Sequence, residues 1–160
     1  MASWAAASII ILLVISGCGS DGDGNTAPTL SFVGLNKPAL FQGEGIGSDS
    51  IVVRLMFEDI DGDIEGLGNG LIPNNIVYVD TRDGTETAAS FPSFPSEVTG
   101  GQRGQLDLTI GATCCLFEVF FPCTQGLDTA NVFPYDIFII DGQGNRSNTI
   151  TTDPVTLLCP

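Results

Sequence analysis

Carboxylates and cysteines are the residues best suited to chemistry in this 160-residue chain, because histidine is absent. Without an imidazole, Ser-His-Asp catalysis, Cys-His catalysis and histidine metal ligation are all excluded. The chain carries 19 Asp and Glu against 5 Lys and Arg, for a formal net charge of −14. This charge repels phosphate, so no nucleic-acid partner is expected.

The densest acidic segment is Asp-x-Asp-Gly-Asp, which places Asp59, Asp61 and Asp63 on a loop that Gly62 allows to turn sharply. Hard oxygen ligands at this spacing suit calcium. The pattern is not an EF-hand, because no helices flank it and the terminal glutamate is missing at the required distance. Acidic loops are also commonly solvated turns, so calcium binding and simple exposure both stay open.

Four of the five cysteines lie near the carboxyl end, at Cys114, Cys115, Cys123 and Cys159. An even number outside the cytoplasm predicts two disulfides. Adjacent cysteines on a strand point to opposite faces, so we expect one to bond Cys123 and the other Cys159. A straight strand would separate residues 115 and 123 by about 26 Å, so a bond between them needs a chain reversal. The Cys-x-x-Cys pairs of a zinc site are missing.

The amino-terminal segment predicts export. Residues 1–17 have no charged side chain, and Ile9 to Ile15 is an unbroken apolar run. This run is shorter than the roughly 20 residues that cross a bilayer, but it suits a signal peptide. An ordinary membrane anchor and a plain secretory signal are the alternatives.

The tetrapeptide Ile15-Ser16-Gly17-Cys18 resembles the bacterial lipobox, although no Lys or Arg precedes the apolar run. The resemblance implies cleavage before Cys18, a diacylglycerol thioether on its sulfur and an acyl group on its new amine. Residues 1–17 are then the signal peptide, 18–28 a flexible acidic tether, and 29–160 the folded domain. In the tether, Asp21 and Asp23 resemble the surface-export signal of Bacteroidota-type lipoproteins, or are simply part of a solvated linker.

Strand-length apolar patterns without a helical period fill the rest of the chain. Between residues 50 and 58, for example, apolar side chains alternate with polar ones. Pro154 predicts a sheet edge, and residues 81–84 predict an ordinary turn. An all-β antiparallel sandwich of about seven strands follows. Its predicted strands are 30–33, 50–58, 75–80, 105–110, 116–121, 135–140 and 148–158.

Two segments resemble known modules. Tyr135 to Asn148 resembles the F strand, F–G turn and G strand of immunoglobulin-like and fibronectin type III domains. Phe57 to Asp63 resembles the end of the B strand and the acidic B–C loop of bacterial cadherin-like and immunoglobulin-like modules. The whole is similar to small single-domain lipoproteins of Bacteroidota. The resemblance implies that Tyr135 is a tyrosine corner, with its hydroxyl bonded to nearby backbone.

In such a sandwich the B–C and F–G loops emerge at the same end. Asp141 and Asn145 would therefore join Asp59, Asp61 and Asp63 as candidate calcium ligands, with exposure to water as the other explanation. The first strand starts at that end too, so the acidic loops would face the tether and the membrane.

The expected function is structural, adhesive or display, by a non-catalytic domain anchored to the outer membrane and facing the periplasm or the cell surface. The alternative is an accessory glycan- or protein-binding module of a surface uptake system. A carboxylate hydrolase ranks third, because no acid–base pair stands out. Sugar platforms favour exposed Trp or Tyr, yet Trp4 leaves with the signal peptide and only Tyr78 and Tyr135 remain. The segment from Phe91 to Pro95 either contacts a protein or packs on the sandwich edge.

Overall fold

A computed structural model describes residues 26–42, 49–64, 75–90, 101–124, 126 and 129–159. Every regular element in these ranges is a strand, which confirms the all-β prediction. No helix among the described residues is long and apolar enough to cross a membrane. Cys18, most of the tether and the segment from Phe91 to Pro95 lie outside the described residues.

Ten strands occupy the described ranges, where about seven were predicted. Their bounds are β1 Thr29–Leu35, β2 Ala39–Phe41, β3 Ser50–Asp59, β4 Ile76–Asp80, β5 Thr85–Ala89, β6 Gln102–Gly111, β7 Thr129–Phe133, β8 Tyr135–Ile139, β9 Ile150–Thr151 and β10 Val155–Cys159. Part of the excess arises because prolines interrupt two long segments. Pro134 separates β7 from β8, and Pro154 lies between β9 and β10.

The strands form three hydrogen-bonded groups, in the orders β1-β3-β6, β5-β4-β8-β9 and β2-β10-β7. The last two groups are joined by the interrupted segments β7–β8 and β9–β10. Buried side chains from all three groups form one hydrophobic core. The predicted antiparallel sandwich is therefore confirmed, with one parallel pair, β2 with β10, that the sequence did not predict.

Strict alternation builds the core face of β3, as predicted. Ile51, Val53, Leu55 and Phe57 are at most 3% exposed, and the residues between them face outward or lie half-buried. They pack with the inward residues of β6, the neighbouring strand. Burying each such side chain contributes roughly 1.5–3 kcal/mol, so this strand pair alone is a large part of the hydrophobic stabilisation.

The predicted strand over residues 116–121 is wrong. This segment has no strand pairing, because Cys114 bonds Cys123 and turns the intervening chain back on itself. The two Cα atoms of this disulfide are 4.5 Å apart. Apolar composition predicted a strand here, but the covalent reversal is incompatible with an extended chain.

Each adjacent cysteine bonds a different partner, as expected: Cys114 bonds Cys123 and Cys115 bonds Cys159. The required reversal is present, and the Cys123 amide donates to the Cys115 carbonyl at 3.2 Å. The adjacent pair lies just after β6 rather than within a strand, so strand alternation is not what separates the two side chains.

The edge prediction from Pro154 is only partly right. β9 is an edge strand, but β10 lies between β2 and β7. Pro154 sits in the gap between them, where its missing N–H removes no ladder hydrogen bond. β8 is central, between β4 and β9, and the Arg146 guanidinium covers the Phe138 ring at 3.6 Å from its centre.

Tyr135 does not make the predicted corner hydrogen bond. Its side chain is buried, and its hydroxyl has no hydrogen-bond partner among the described residues. The ring packs edge-on against Tyr78 and Phe133. Burial, reinforced by the nearby Asp80 charge, raises the pKa of Tyr135 to about 12. Tyr135 is therefore a core aromatic residue.

The sandwich has two unlike ends. Thr29 in β1 pairs with Glu58, beside the aspartates, so the first strand starts at the acidic end as predicted. β6 runs from Gln102, opposite Asp59, to Gly111, opposite Ser50, and thus carries the chain to the other end. We call the end with Asp59, Asp61, Asp63 and Asp141 the acidic pole. The disulfide pole is the end with Cys114, Cys115, Cys123 and Cys159.

Candidate functional site

Asp59 occupies a core position at the acidic pole. The inward alternation of β3 continues through Phe57 to Asp59, whose side chain is fully buried. Its Oδ2 accepts a hydrogen bond from the Ile64 amide at 3.1 Å. Gly62 adopts a φ of 75°, which a non-glycine residue rarely adopts, so the chain turns sharply between Asp61 and Asp63 as predicted.

A second acidic loop follows β8 and is organised by Asp141. Its Oδ1 accepts from the amides of Gln143 and Asn145 at 2.9 and 2.7 Å. Its Oδ2 accepts from the Asn145 side-chain amide at 2.8 Å. Gly144, with a φ of 91°, completes the turn. Asn145 thus orients Asp141, while its role as a calcium ligand stays a prediction.

The two loops meet, as predicted. The Gly142 amide donates to the Asp63 carbonyl at 2.9 Å, and the Gln143 side chain donates to Asp61 Oδ2 at 2.9 Å. One carboxylate oxygen from each of four aspartates lies within 4.8 Å of the others. Gln143 was missed from the sequence, where nothing distinguishes it from an ordinary turn residue. The four aspartates are Asp59, Asp61, Asp63 and Asp141.

Crowding makes ionisation of Asp59 and Asp63 unfavourable. Burial, then the hydrogen bond and negative charge of Asp61, then the charge of Asp63, raise the pKa of Asp59 to about 6. The pKa of Asp63 is raised by burial and by the charges of Asp141 and Asp61. None of the ion pairs between described residues involves these four aspartates. Their repulsion is therefore not relieved by a basic side chain.

Several buried oxygens at this pole lack partners. Asp59 Oδ1, Asp63 Oδ1 and Gln102 Oε1 are inaccessible to water, and no described group bonds them. Gln102 lies opposite Asp59 in the β3–β6 pair. The two residues also line a cleft of about 370 Å³. Buried acceptors are normally hydrogen-bonded, so these unpartnered oxygens call for a physical explanation.

The raised pKa of Asp59 predicts an unusual pH dependence. In EDTA, the native state holds a proton that the unfolded chain has already released between about pH 4 and pH 6. The free energy of unfolding should therefore fall as pH rises through that window, and this carboxyl should account for a fall of about 1.4 kcal/mol between pH 5 and pH 7.5. Urea unfolding at pH 5 and pH 7.5 measures the change. Asp59→Asn should remove it, and an identical pH profile in this variant would contradict the assignment.

Comparisons with known proteins leave the family open. No protein-family model matches the chain, and no curated protein or solved structure matches it. Function is therefore inferred from the residues and their arrangement.

Proposed function

We propose that this protein is a lipid-anchored, extracytoplasmic immunoglobulin-like domain with a structural, adhesive or display role. Cys18 would carry the anchor at the outer membrane, with the domain facing the periplasm or the cell surface. The observation that carries the proposal is the separation of the two poles. The chain enters the sandwich at the acidic pole, and both disulfides lie at the opposite pole.

The disulfides support a location outside the cytoplasm. All four cysteines after residue 18 pair with one another, and disulfides persist in oxidising compartments. One cysteine, Cys18, is then left for lipid attachment. Two or more acyl chains hold a soluble domain durably at a membrane, since each buried methylene contributes about 0.8 kcal/mol.

An exposed apolar loop at the disulfide pole supports display. The Cys114–Cys123 disulfide closes a short loop in which Val119 is 85% exposed and Phe121 is 88% exposed. Phe120 is also exposed and packs edge-on against Phe117. This loop is far from the chain entry, so an anchored domain would present it outward.

A non-catalytic role suits the acidic pole. Asp59 has the raised pKa of a general acid and borders the cleft, but it is inaccessible to solvent and so is not presented to a substrate there. The exposed carboxylate of the cluster, Asp61, is held by Gln143. Acid–base hydrolysis needs two carboxyl groups that both reach the scissile bond, and the cluster offers no such pair.

The loop closed by the Cys114–Cys123 disulfide also supports the second candidate function, a binding module. It suits a protein ligand better than a glycan. Tyr135 is buried and Tyr78 half-buried against it, so neither forms an open sugar platform. Among the described residues the exposed aromatics are Phe41, Phe120 and Phe121, which lack the polar group that Tyr and Trp offer to a sugar.

Lipid labelling tests the anchor. The full chain is expressed in a bacterial host with radiolabelled palmitate. We expect the wild type and Ser20→Ala to be labelled and Cys18→Ala to be unlabelled. Globomycin, which inhibits lipoprotein signal peptidase, should cause an uncleaved precursor to accumulate. Unchanged processing, or a mature chain that keeps Met1 and an unmodified Cys18 sulfur, would contradict the proposal.

A polysaccharide array separates display from glycan binding. The purified protein is compared with Phe120→Ser/Phe121→Ser, in which the exposed loop loses its aromatic rings. Display predicts no saturable signal for either protein. Saturable binding that disappears in the variant would instead identify a glycan-binding module.

A further inference from the structure

We propose that Asp59, Asp61, Asp63 and Asp141 bind one calcium ion that fastens the two loops of the acidic pole. The proposal does not depend on the lipid anchor, because all four ligands belong to the folded domain. It assigns a chemical role to the cluster that a display function leaves unexplained.

The cluster has the dimensions of a calcium site. Calcium binds oxygens at about 2.3–2.6 Å, so two ligands on opposite sides of one ion lie at most about 4.6–5.2 Å apart. The four carboxylate oxygens all lie within 4.8 Å of one another. One ion can therefore reach all four oxygens with little rearrangement of the loops.

The second observation is the unpartnered oxygen of Asp59. The side chain is fully buried and contributes an oxygen to the cluster, yet its Oδ1 has no hydrogen-bond partner among the described residues. A buried carboxylate oxygen without a partner is costly, and buried charges are normally paired or coordinate a metal. The buried Oδ1 of Asp63 has the same deficit. Both oxygens would be satisfied by one cation.

Burial distinguishes calcium binding from simple exposure to water, which are the two explanations of the acidic loop that the sequence left open. Simple exposure explains Asp61, which faces solvent, but not Asp59 or Asp141, which are 0% and 6% exposed. Zinc prefers nitrogen and sulfur ligands, whereas the four carboxylates offer only oxygen. Magnesium demands a near-ideal octahedron and retains several waters, whereas calcium accepts irregular carboxylate cages. Calcium is therefore the cation that suits the cluster best.

The ion would also order the chain entry. The Asp141 carboxylate accepts hydrogen bonds from Asn145, and the Asn145 side chain donates to Thr26 Oγ1 at 3.3 Å. Thr26 lies three residues before β1. Fixing Asp141 would thus restrain the last residues before the sandwich begins.

Calorimetry and thermal melting of the full chain in detergent, stripped of metal with EDTA and dialysed, test the site. Titration with calcium chloride at pH 7.5 should give one binding event per chain. At a calcium concentration about 100-fold above Kd, the melting temperature should rise by roughly 5–10 °C. Magnesium chloride should give a smaller rise. No heat and no melting shift with calcium would overturn the proposal.

Two substitutions assign the effect to this cluster. Asp59→Asn should melt at a higher temperature than the wild type in EDTA, because it removes a repelling charge, and should lose the calcium response. Asp61→Asn, at an exposed position that the fold tolerates, should weaken calcium binding at least tenfold. Asp153→Asn, an exposed aspartate between β9 and β10, is the control and should respond like the wild type. An equal loss in the control, or a full response in both cluster variants, would contradict the site.

Discussion

Replacing Cys115 and Cys159 with alanine should lower the free energy of unfolding by about 4 kcal/mol. Their disulfide joins residues 44 positions apart, and both side chains are buried in the core. In the chain-entropy account, a longer closed loop removes more freedom from the unfolded chain. The bond also fastens β10, the last strand, to the segment that follows β6. Urea unfolding under oxidising conditions measures the loss.

The second disulfide provides the matched comparison. Cys114→Ala/Cys123→Ala opens a loop of sequence separation 9, so the expected loss is about 2.7 kcal/mol. We therefore expect the Cys115–Cys159 bond to contribute more. If removing the shorter bond destabilised the protein more, loop length would not be what sets the contribution of each disulfide.

Replacing Arg82 with methionine should lower the free energy of unfolding by about 3–5 kcal/mol, because it leaves a buried charge unpaired. The Arg82 guanidinium pairs with Asp80, and both side chains are nearly inaccessible to solvent. It also donates to the Cys114 carbonyl at 3.0 Å and to Asn131 Oδ1 at 2.8 Å. It lies 3.8 Å from the centre of the Phe133 ring. Arg82 therefore joins the β4–β5 turn to β7 and to the disulfide loop.

Arg54→Met is the control for this substitution. Arg54 pairs with Asp107 across β3 and β6, but both side chains are about half exposed. Exposed ion pairs contribute little to stability because solvent screens them, so the control should lose much less than Arg82→Met. Urea unfolding of the two variants at pH 7 makes the comparison. Similar losses in both would show that burial does not amplify the Arg82 pair.

Arg82 also shows where prediction from sequence ends. The four residues from Thr81 to Gly84 predict an ordinary turn, and a turn is what forms, with Gly84 at a φ of 75°. Nothing local indicates that the turn carries a buried arginine. The partners Thr113, Asn131 and Phe133 lie 31, 49 and 51 residues further along the chain. Only the packed structure brings them together.

The features of the acidic pole were likewise predictable only in part from the sequence. The spacing of Asp59, Asp61 and Asp63 identified the loop, and the resemblance to immunoglobulin-like modules brought Asp141 to it. The burial of Asp59 could have been expected, since the alternation of β3 continues to that residue. The unpartnered Oδ1 of Asp59 could not have been expected, because a missing hydrogen-bond partner depends on every neighbour that surrounds the oxygen.

The sequence by itself determined the strand class and the core face of β3, because these depend on residue type and alternation along short stretches. It also determined that two disulfides form, because four cysteines remain after Cys18. Tertiary structure decided the parallel β2–β10 pair, the reversal that replaced the strand at 116–121, and the meeting of four carboxylates. These features depend on contacts between residues far apart in the chain, whose closure entropy and packing no local pattern records.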